Sequence, residues 1–298
     1  MLSRRSAILA PLAAAAVPTR AAGTKMSLSL HQTTSLGAGF RKGLEGWARA
    51  GIRNVELSDR ILDEFLKTET LPAAQRLLKD LGLRVVSCSS SQPELFIPGP
   101  TQVTSLDTWK RRCEQLASLG TERIYSPAVV TRKVTAEDYK GAPDCIRQAG
   151  DAAKQHNLIA MLEFTRISTF ISTLPTALKL IREANHPSVH PMFDCYHFWS
   201  GLSKFEDLDL IRPGEIAHMH FQDVPNVPRE LLDNFTRAIP GDGVSPLVAI
   251  LRKMAEKGYS GALSVELFLP EIQKADPYEM AMQIREKAEA VMRKAKVL

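Results

Sequence analysis

Four residues with the chemistry of metal ligands close four apolar runs in the second half of the chain. Glu163 ends the run Leu158–Glu163, Asp194 ends Val189–Asp194, His220 ends Ile216–His220, and Glu266 falls near the end of Ala262–Leu267. A charged group at the end of an apolar strand is costly unless it is paired or bound to an ion. One acid in such a place is ordinary, because a helix cap or a salt bridge accounts for it. Four in consecutive strands call for a common cause. Three carboxylates and one imidazole carry enough negative charge to hold a divalent cation. Their mix of oxygen donors with one nitrogen suits Mn²⁺, Co²⁺, Mg²⁺ or Zn²⁺ without choosing among them. A thiolate zinc site is excluded: Cys88, Cys113, Cys145 and Cys195 form no CxxC pair and read as free, mostly buried thiols.

The elements that must position these residues follow from the hydrophobic pattern. Eight short runs rich in Val, Ile, Leu and Met read as strands covered on both faces: Ser27–Thr33, Ile52–Leu57, Arg84–Cys88, Arg123–Ser126 and the four above. Between them lie amphipathic helical patterns, among them Phe40–Ala50, Pro72–Leu81, Leu106–Leu119, Ala136–His156, Thr176–Glu183, Pro246–Lys257 and Tyr278–Lys296. Thr135 and Asp138 have the spacing of a capping box for the fourth. Gly51, Gly82, Gly120 and Gly258 stand where helices should end. Eight strands alternating with helices, with no low-complexity linker, predict a single-domain α/β protein, a (β/α)₈ TIM barrel over residues 26–298. A doubly wound sheet would want a glycine-rich first turn, and Ser35-Leu36-Gly37-Ala38-Gly39 lacks the third glycine. In a barrel, residues at the strand C-termini converge on one face, where the active site is expected.

On these residues the chain resembles the xylose isomerase-like barrel superfamily, within it the sugar phosphate isomerase/epimerase group. The resemblance rests on Glu163, Asp194-x-x-His197, the His218-x-His220 pair followed by Asp223, Glu266, and the stretch Gly51–Leu57. It implies that Glu163, Asp194, His220 and Glu266 hold one metal ion, and that Glu163 and Glu266 are a catalytic acid/base pair. That chemistry fits the residue types. One glutamate removes a proton next to a carbonyl, the ion stabilises the enediolate, and the other glutamate returns the proton. His197 is expected to donate a hydrogen bond to a substrate oxygen, with His218 supporting its neighbouring ligand and Asp223 behind the site. Arg237-x-x-Pro240-Gly241-x-Gly243 resembles a stretch of ketose 3-epimerases whose arginine contacts substrate. Arg229, His31 and Trp199 are further substrate-binding candidates. Ketose 3-epimerases usually carry a second glutamate six residues after the fifth-strand one, and here that position is Thr169. The implied activity is therefore a metal-dependent isomerase or epimerase of a keto-sugar or polyol derivative. A dehydratase or lyase of the inosose dehydratase type shares the first step, and a sugar-binding protein with an inactive site is the alternative from another class.

The net charge of +5 points to no nucleic acid. Arg4, Arg5, Arg20 and Lys25 precede residue 26 with no acid among them; without these four of the 38 basic residues, 34 face 33 acids. The histidines and Asp-x-His that three-zinc apurinic endonucleases need are also missing, with Ser89-Ser90-Ser91, Ser126-Pro127 and Asp242-Gly243-Val244 in their places. Residues 1–25 read instead as a twin-arginine-like export signal, Arg4-Arg5 followed by the apolar stretch Ala7–Val17. This predicts a periplasmic location with no membrane contact after signal removal, or a cytoplasmic one if the leader is unused. A homodimer is the default expectation for assembly.

Overall fold

The computed structural model describes residues 25–298; the expected export signal lies almost entirely in residues 1–24, outside the described residues. Eight parallel strands close in chain order into one barrel. They are β1 (Ser27–His31), β2 (Asn54–Ser58), β3 (Arg84–Ser89), β4 (Arg123–Pro127), β5 (Ile159–Glu163), β6 (Val189–Asp194), β7 (His218–His220) and β8 (Ala262–Val265). The helices packed outside them are α1 (Gly39–Arg49), α2 (Asp59–Leu66), α3 (Leu71–Asp80), α4 (Pro100–Ser118), α5 (Ala136–Lys154), α6 (Leu174–Ala184), α7 (Cys195–Ser200), α8 (Leu247–Glu256), α9 (Pro270–Lys274) and α10 (Pro277–Ala295).

Strand alternation divides the side chains into two sets. Leu30, Val55, Leu57, Leu162, Phe193, Met219, Leu263 and Val265 face the helices and join the main core, where Leu44, Trp47, Trp109 and Ile284 meet them. The residues between them point into the barrel. The register sets His31 beside Glu56, Glu163 beside Met192, and Asp194 beside His220. Inside the barrel Tyr125, Met161 and Met192 form a separate small cluster.

The local signals behave as their chemistry requires. Thr135 and Asp138 form the capping box: the Thr135 backbone N–H donates to Asp138 Oδ2 at 2.7 Å, and the Asp138 N–H donates to Thr135 Oγ1. The four glycines expected at helix ends all have positive φ, between Gly82 at 62° and Gly51 and Gly258 at 82°. All four cysteines are buried and unpaired. Among the described residues no helix is long and apolar enough to cross a membrane.

Candidate metal centre

The strand ends bring Glu163, Asp194, His220 and Glu266 together at the C-terminal mouth of the barrel. His220 is the centre of the group. Its Nδ1 lies 3.1 Å from Glu163 Oε1, 3.2 Å from Asp194 Oδ2 and 3.4 Å from Glu266 Oε2. These spacings are the edge lengths of a coordination shell whose ligands stand roughly 2.0–2.2 Å from one ion. Asp194 has a second duty as the N-cap of α7, where its Oδ1 accepts the His197 N–H at 2.6 Å. Its Oδ2 also accepts from Gln222 Nε2 at 2.7 Å.

The charge balance is lopsided. Glu56, Glu163, Asp194 and Glu266 are all buried, and the permanent cation among them is Arg237. Its Nη1 donates to Asp194 Oδ2 at 3.1 Å and to Glu266 Oε2, and its charge is strengthened by both acids. Burial drives Glu163 up to about 7, and Asp194 and Glu266 push the same way against the pull of His220. Burial acts on Glu266 too, but His220 and Arg237 outweigh it and hold that carboxyl below its ordinary value. Burial works against a charge on His220, yet Glu266 and Glu56 overcome it and keep the imidazole protonated well above its usual range. A site that raises a histidine and a glutamate together is short of positive charge. The donor set fits a divalent cation.

Glu56 supports the group from behind. It is fully buried in the middle of β2, where its Oε2 lies 3.0 Å from His218 Nε2 and 3.3 Å from His220 Nε2. Burial would raise its pKa, but the two histidines hold it well below normal. The hydrogen bond of Glu56 goes to His218; at His220 its carboxylate acts by charge, favouring a proton on Nε2 and leaving Nδ1 to face the carboxylates. His218 thus acts through Glu56. Glu56→Gln is expected to weaken Mn²⁺ binding by about 10- to 100-fold, read by calorimetric titration; unchanged affinity would remove Glu56 from the site.

Arg237 arrives from the loop between β7 and α8, and Asp223 fixes that loop. Asp223 and Ala238 exchange backbone hydrogen bonds of 2.8 and 3.0 Å. The Asp223 carboxylate then accepts from the N–H groups of Val224, Gly241, Gly243 and Ser245 at 2.9–3.1 Å. A Cβ on Gly243 would stand 2.2 Å from Val224 O and 2.5 Å from Asp223 Oδ1, so only glycine fits there. Asp223 therefore holds the arginine loop rather than a ligand. The guanidinium lies over Tyr196 at 5.2 Å and Phe268 at 4.8 Å, and its Nη2 donates to Asn234 Oδ1 at 3.0 Å.

A cavity of ≈ 680 Å³ opens above this floor and is lined by His31, Glu163, His197, Arg237 and Glu266 among others. The His31 Nδ1 accepts the Thr33 N–H at 3.1 Å, which leaves the proton on Nε2, 3.1 Å from Ser89 Oγ. His197 is buried and its pKa falls to about 4, chiefly by burial. Its Nε2 faces Arg237 Nη2 at 3.1 Å, so it stands as an acceptor for the arginine and not, as expected, as a free donor. Two candidates fall outside the cavity lining. Arg229 is exposed in a short turn, and Trp199 is 39% exposed on the outer side of α7. Gln222 and Asn234 carried no signal in the sequence; their roles come from contacts made only in the folded chain.

A closed (β/α)₈ barrel with an acidic, histidine-centred cluster at its catalytic face defines the class. The chain belongs to the xylose isomerase-like TIM barrel family, whose sequence profile matches residues 45–293. The inosose isomerase of Halalkalibacterium halodurans is 26% identical over 258 residues, 83% of this chain and 89% of that one. The 3-dehydroshikimate dehydratase of Pseudomonas putida is 26% identical over 247 residues, 79% of this chain but 37% of that longer one. The crystal structure of an IolI protein with a bound zinc atom shares the fold with a TM-score of 0.85, at 23% identity over 92% of this chain and 99% of that one. By name the first two are enzymes, an isomerase of inosose and a dehydratase of 3-dehydroshikimate.

Proposed function

We propose that this protein is a divalent-metal-dependent enzyme that moves a proton on the carbon next to the carbonyl of a keto-sugar or polyol ketone. The observation that carries this reading is the meeting of His220 Nδ1 with three carboxylate oxygens within 3.4 Å at the floor of a cavity that Glu163 and Glu266 also line. Glu163, Asp194, His220 and Glu266 would hold the ion, which supplies positive charge to the substrate oxygens as the enediolate forms. Glu163 takes the proton, and Glu266, hydrogen-bonded by Arg237, is the second proton carrier. Arg237 holds Glu266 in place, with Asn234 and His197 bracing the guanidinium.

Isomerisation is favoured by likeness to inosose isomerases over most of both chains. Dehydration starts with the same proton removal, and likeness to 3-dehydroshikimate dehydratases supports it as the second reading. One experiment separates them. The Mn²⁺-loaded protein is incubated with a panel of inososes and keto-hexoses in D₂O and followed by NMR and ultraviolet absorbance. Deuterium at the carbon next to the carbonyl with a new stereoisomer supports isomerisation; an ultraviolet-absorbing enone supports dehydration. Ligands that bind without any exchange would leave a binding protein and overturn the proposal.

A further inference from the structure

The cavity is larger than a bare sugar ring, and beside polar Arg60 and Ser91 it carries a set of apolar side chains. A cyclic polyol of six CHOH units, each near a water molecule in size, fills roughly 180 Å³, against ≈ 680 Å³ available. The two ends of the cavity differ in chemistry. The floor is charged, with Glu163, Glu266, Arg237 and the two histidines. The mouth carries Leu36, Val129, Ile167, Phe235 and Phe268, each from the loop after a different strand: β1, β4, β5, β7 and β8. Three of these apolar side chains are strongly exposed, Leu36 at 45%, Ile167 at 51% and Phe235 at 58%. Phe268 joins the two ends: its ring lies 4.8 Å from the Arg237 guanidinium carbon and 6.4 Å from the Phe235 ring, edge to face.

Scattered apolar side chains on a surface mean little, but a set drawn from five loops around one polar floor is a recognition feature. A bare polyol ring held on the charged floor can offer this set only its C–H faces. We infer that the substrate is a keto-sugar or keto-polyol bearing an apolar or aromatic substituent, linked as a glycoside or ether. The ring sits on the charged floor and the substituent lies against Phe235, Phe268, Ile167 and Leu36. This rests on the proposed function for the position of the ring, and adds the part of the molecule that would give selectivity. An aromatic substituent would continue the edge-to-face contact that Phe235 and Phe268 already make.

The test uses the Mn²⁺-loaded full chain, titrated calorimetrically with an inosose and a keto-hexose, each bare and as its set of mono-O-benzyl ethers, with benzyl alcohol as control. At least one ether is expected to bind about tenfold or more tighter than its bare ring. Phe235→Ala should remove most of that gain and leave the bare ring unchanged, whereas Phe235→Trp should keep it. Phe235 is exposed and outside the metal cluster, so neither variant is expected to disturb folding or ion binding. Ethers that bind no tighter than bare rings would overturn the inference. So would a gain that survives Phe235→Ala, or a Phe235→Ala variant whose only change is the loss of a dimer in sedimentation, which would make the rim an interface between copies. Failure of the proposed function is scored separately, as absence of ion binding and of deuterium exchange in the wild type.

Discussion

Glu163→Gln is expected to slow deuterium exchange at the carbon next to the substrate carbonyl by about 10²- to 10⁴-fold, the usual contribution of a positioned general base. The size of the effect follows from how the two glutamates are set apart. In the metal-free site burial and neighbouring acids raise the Glu163 carboxyl to about 7, which marks it as the stronger proton acceptor of the two. Glu266 is held below its ordinary value by His220 and Arg237 and favours the charged form. Glutamine keeps the shape and can still meet His220, but it cannot take a proton. It is also a weaker ligand, so the comparison belongs at saturating Mn²⁺, with occupancy checked by calorimetry. Exchange by Glu163→Gln at the wild-type rate under those conditions would show that Glu163 serves the ion alone, and would move the base to Glu266 or elsewhere.

The barrel was legible because its strands carry the signal twice, in composition and in what ends them. The run Val189–Asp194 coincides with β6 because apolar residues on both faces and the Asp194 cap mark both limits. The expected strand Ile216–His220 is observed only as His218–His220. Helix α2 carried a readable stripe at Ile61, Leu62, Phe65 and Leu66, but the clearer pattern of α3 already supplied the helix that a βα unit requires. At the site, the ligand candidates announced themselves because each breaks an apolar run with a charge. Glu56 does the same at β2, yet its importance depends on His218, 162 residues away, and only barrel closure sets that contact. Residues on the long loop after β7 have no periodicity to fix their direction. Arg237 points inward because Asp223 pins the backbone beside it at Ala238, whereas Arg229, in the unpinned middle of the loop, points to solvent. The fold and the meeting of Glu163, Asp194 and His220 were therefore readable, and the contacts that tune them were not.

Metal affinity should fall steeply on acidification, and the slope follows from which protons the ion must displace. In the metal-free protein His220 holds a proton well above its usual range, and Glu163 gains one below about 7. Neither can coordinate while protonated at the atom that faces the ion. Near pH 8 Glu163 is already ionised, so binding releases chiefly the His220 proton and affinity changes by about tenfold per pH unit. Below 7 the second proton must leave as well, and the dependence steepens toward about a hundredfold per unit. The stability of the metal-free chain varies in the opposite sense. A glutamate whose folded pKa lies above its unfolded one binds more protons when folded, so from about pH 4.5 to 7 its ionisation lowers the stability of the metal-free chain as pH rises. Bound metal reverses that loss, by about 2.7 kcal/mol at a hundred times its Kd. Titrations with Mn²⁺ between pH 6 and 8.5, in buffers of different ionisation enthalpy, count the released protons directly. A release of about two protons at pH 6 falling toward one at pH 8 is the expected result. Affinity that does not vary with pH would mean that His220 and Glu163 do not coordinate, and that the cluster balances Arg237 by hydrogen bonding alone.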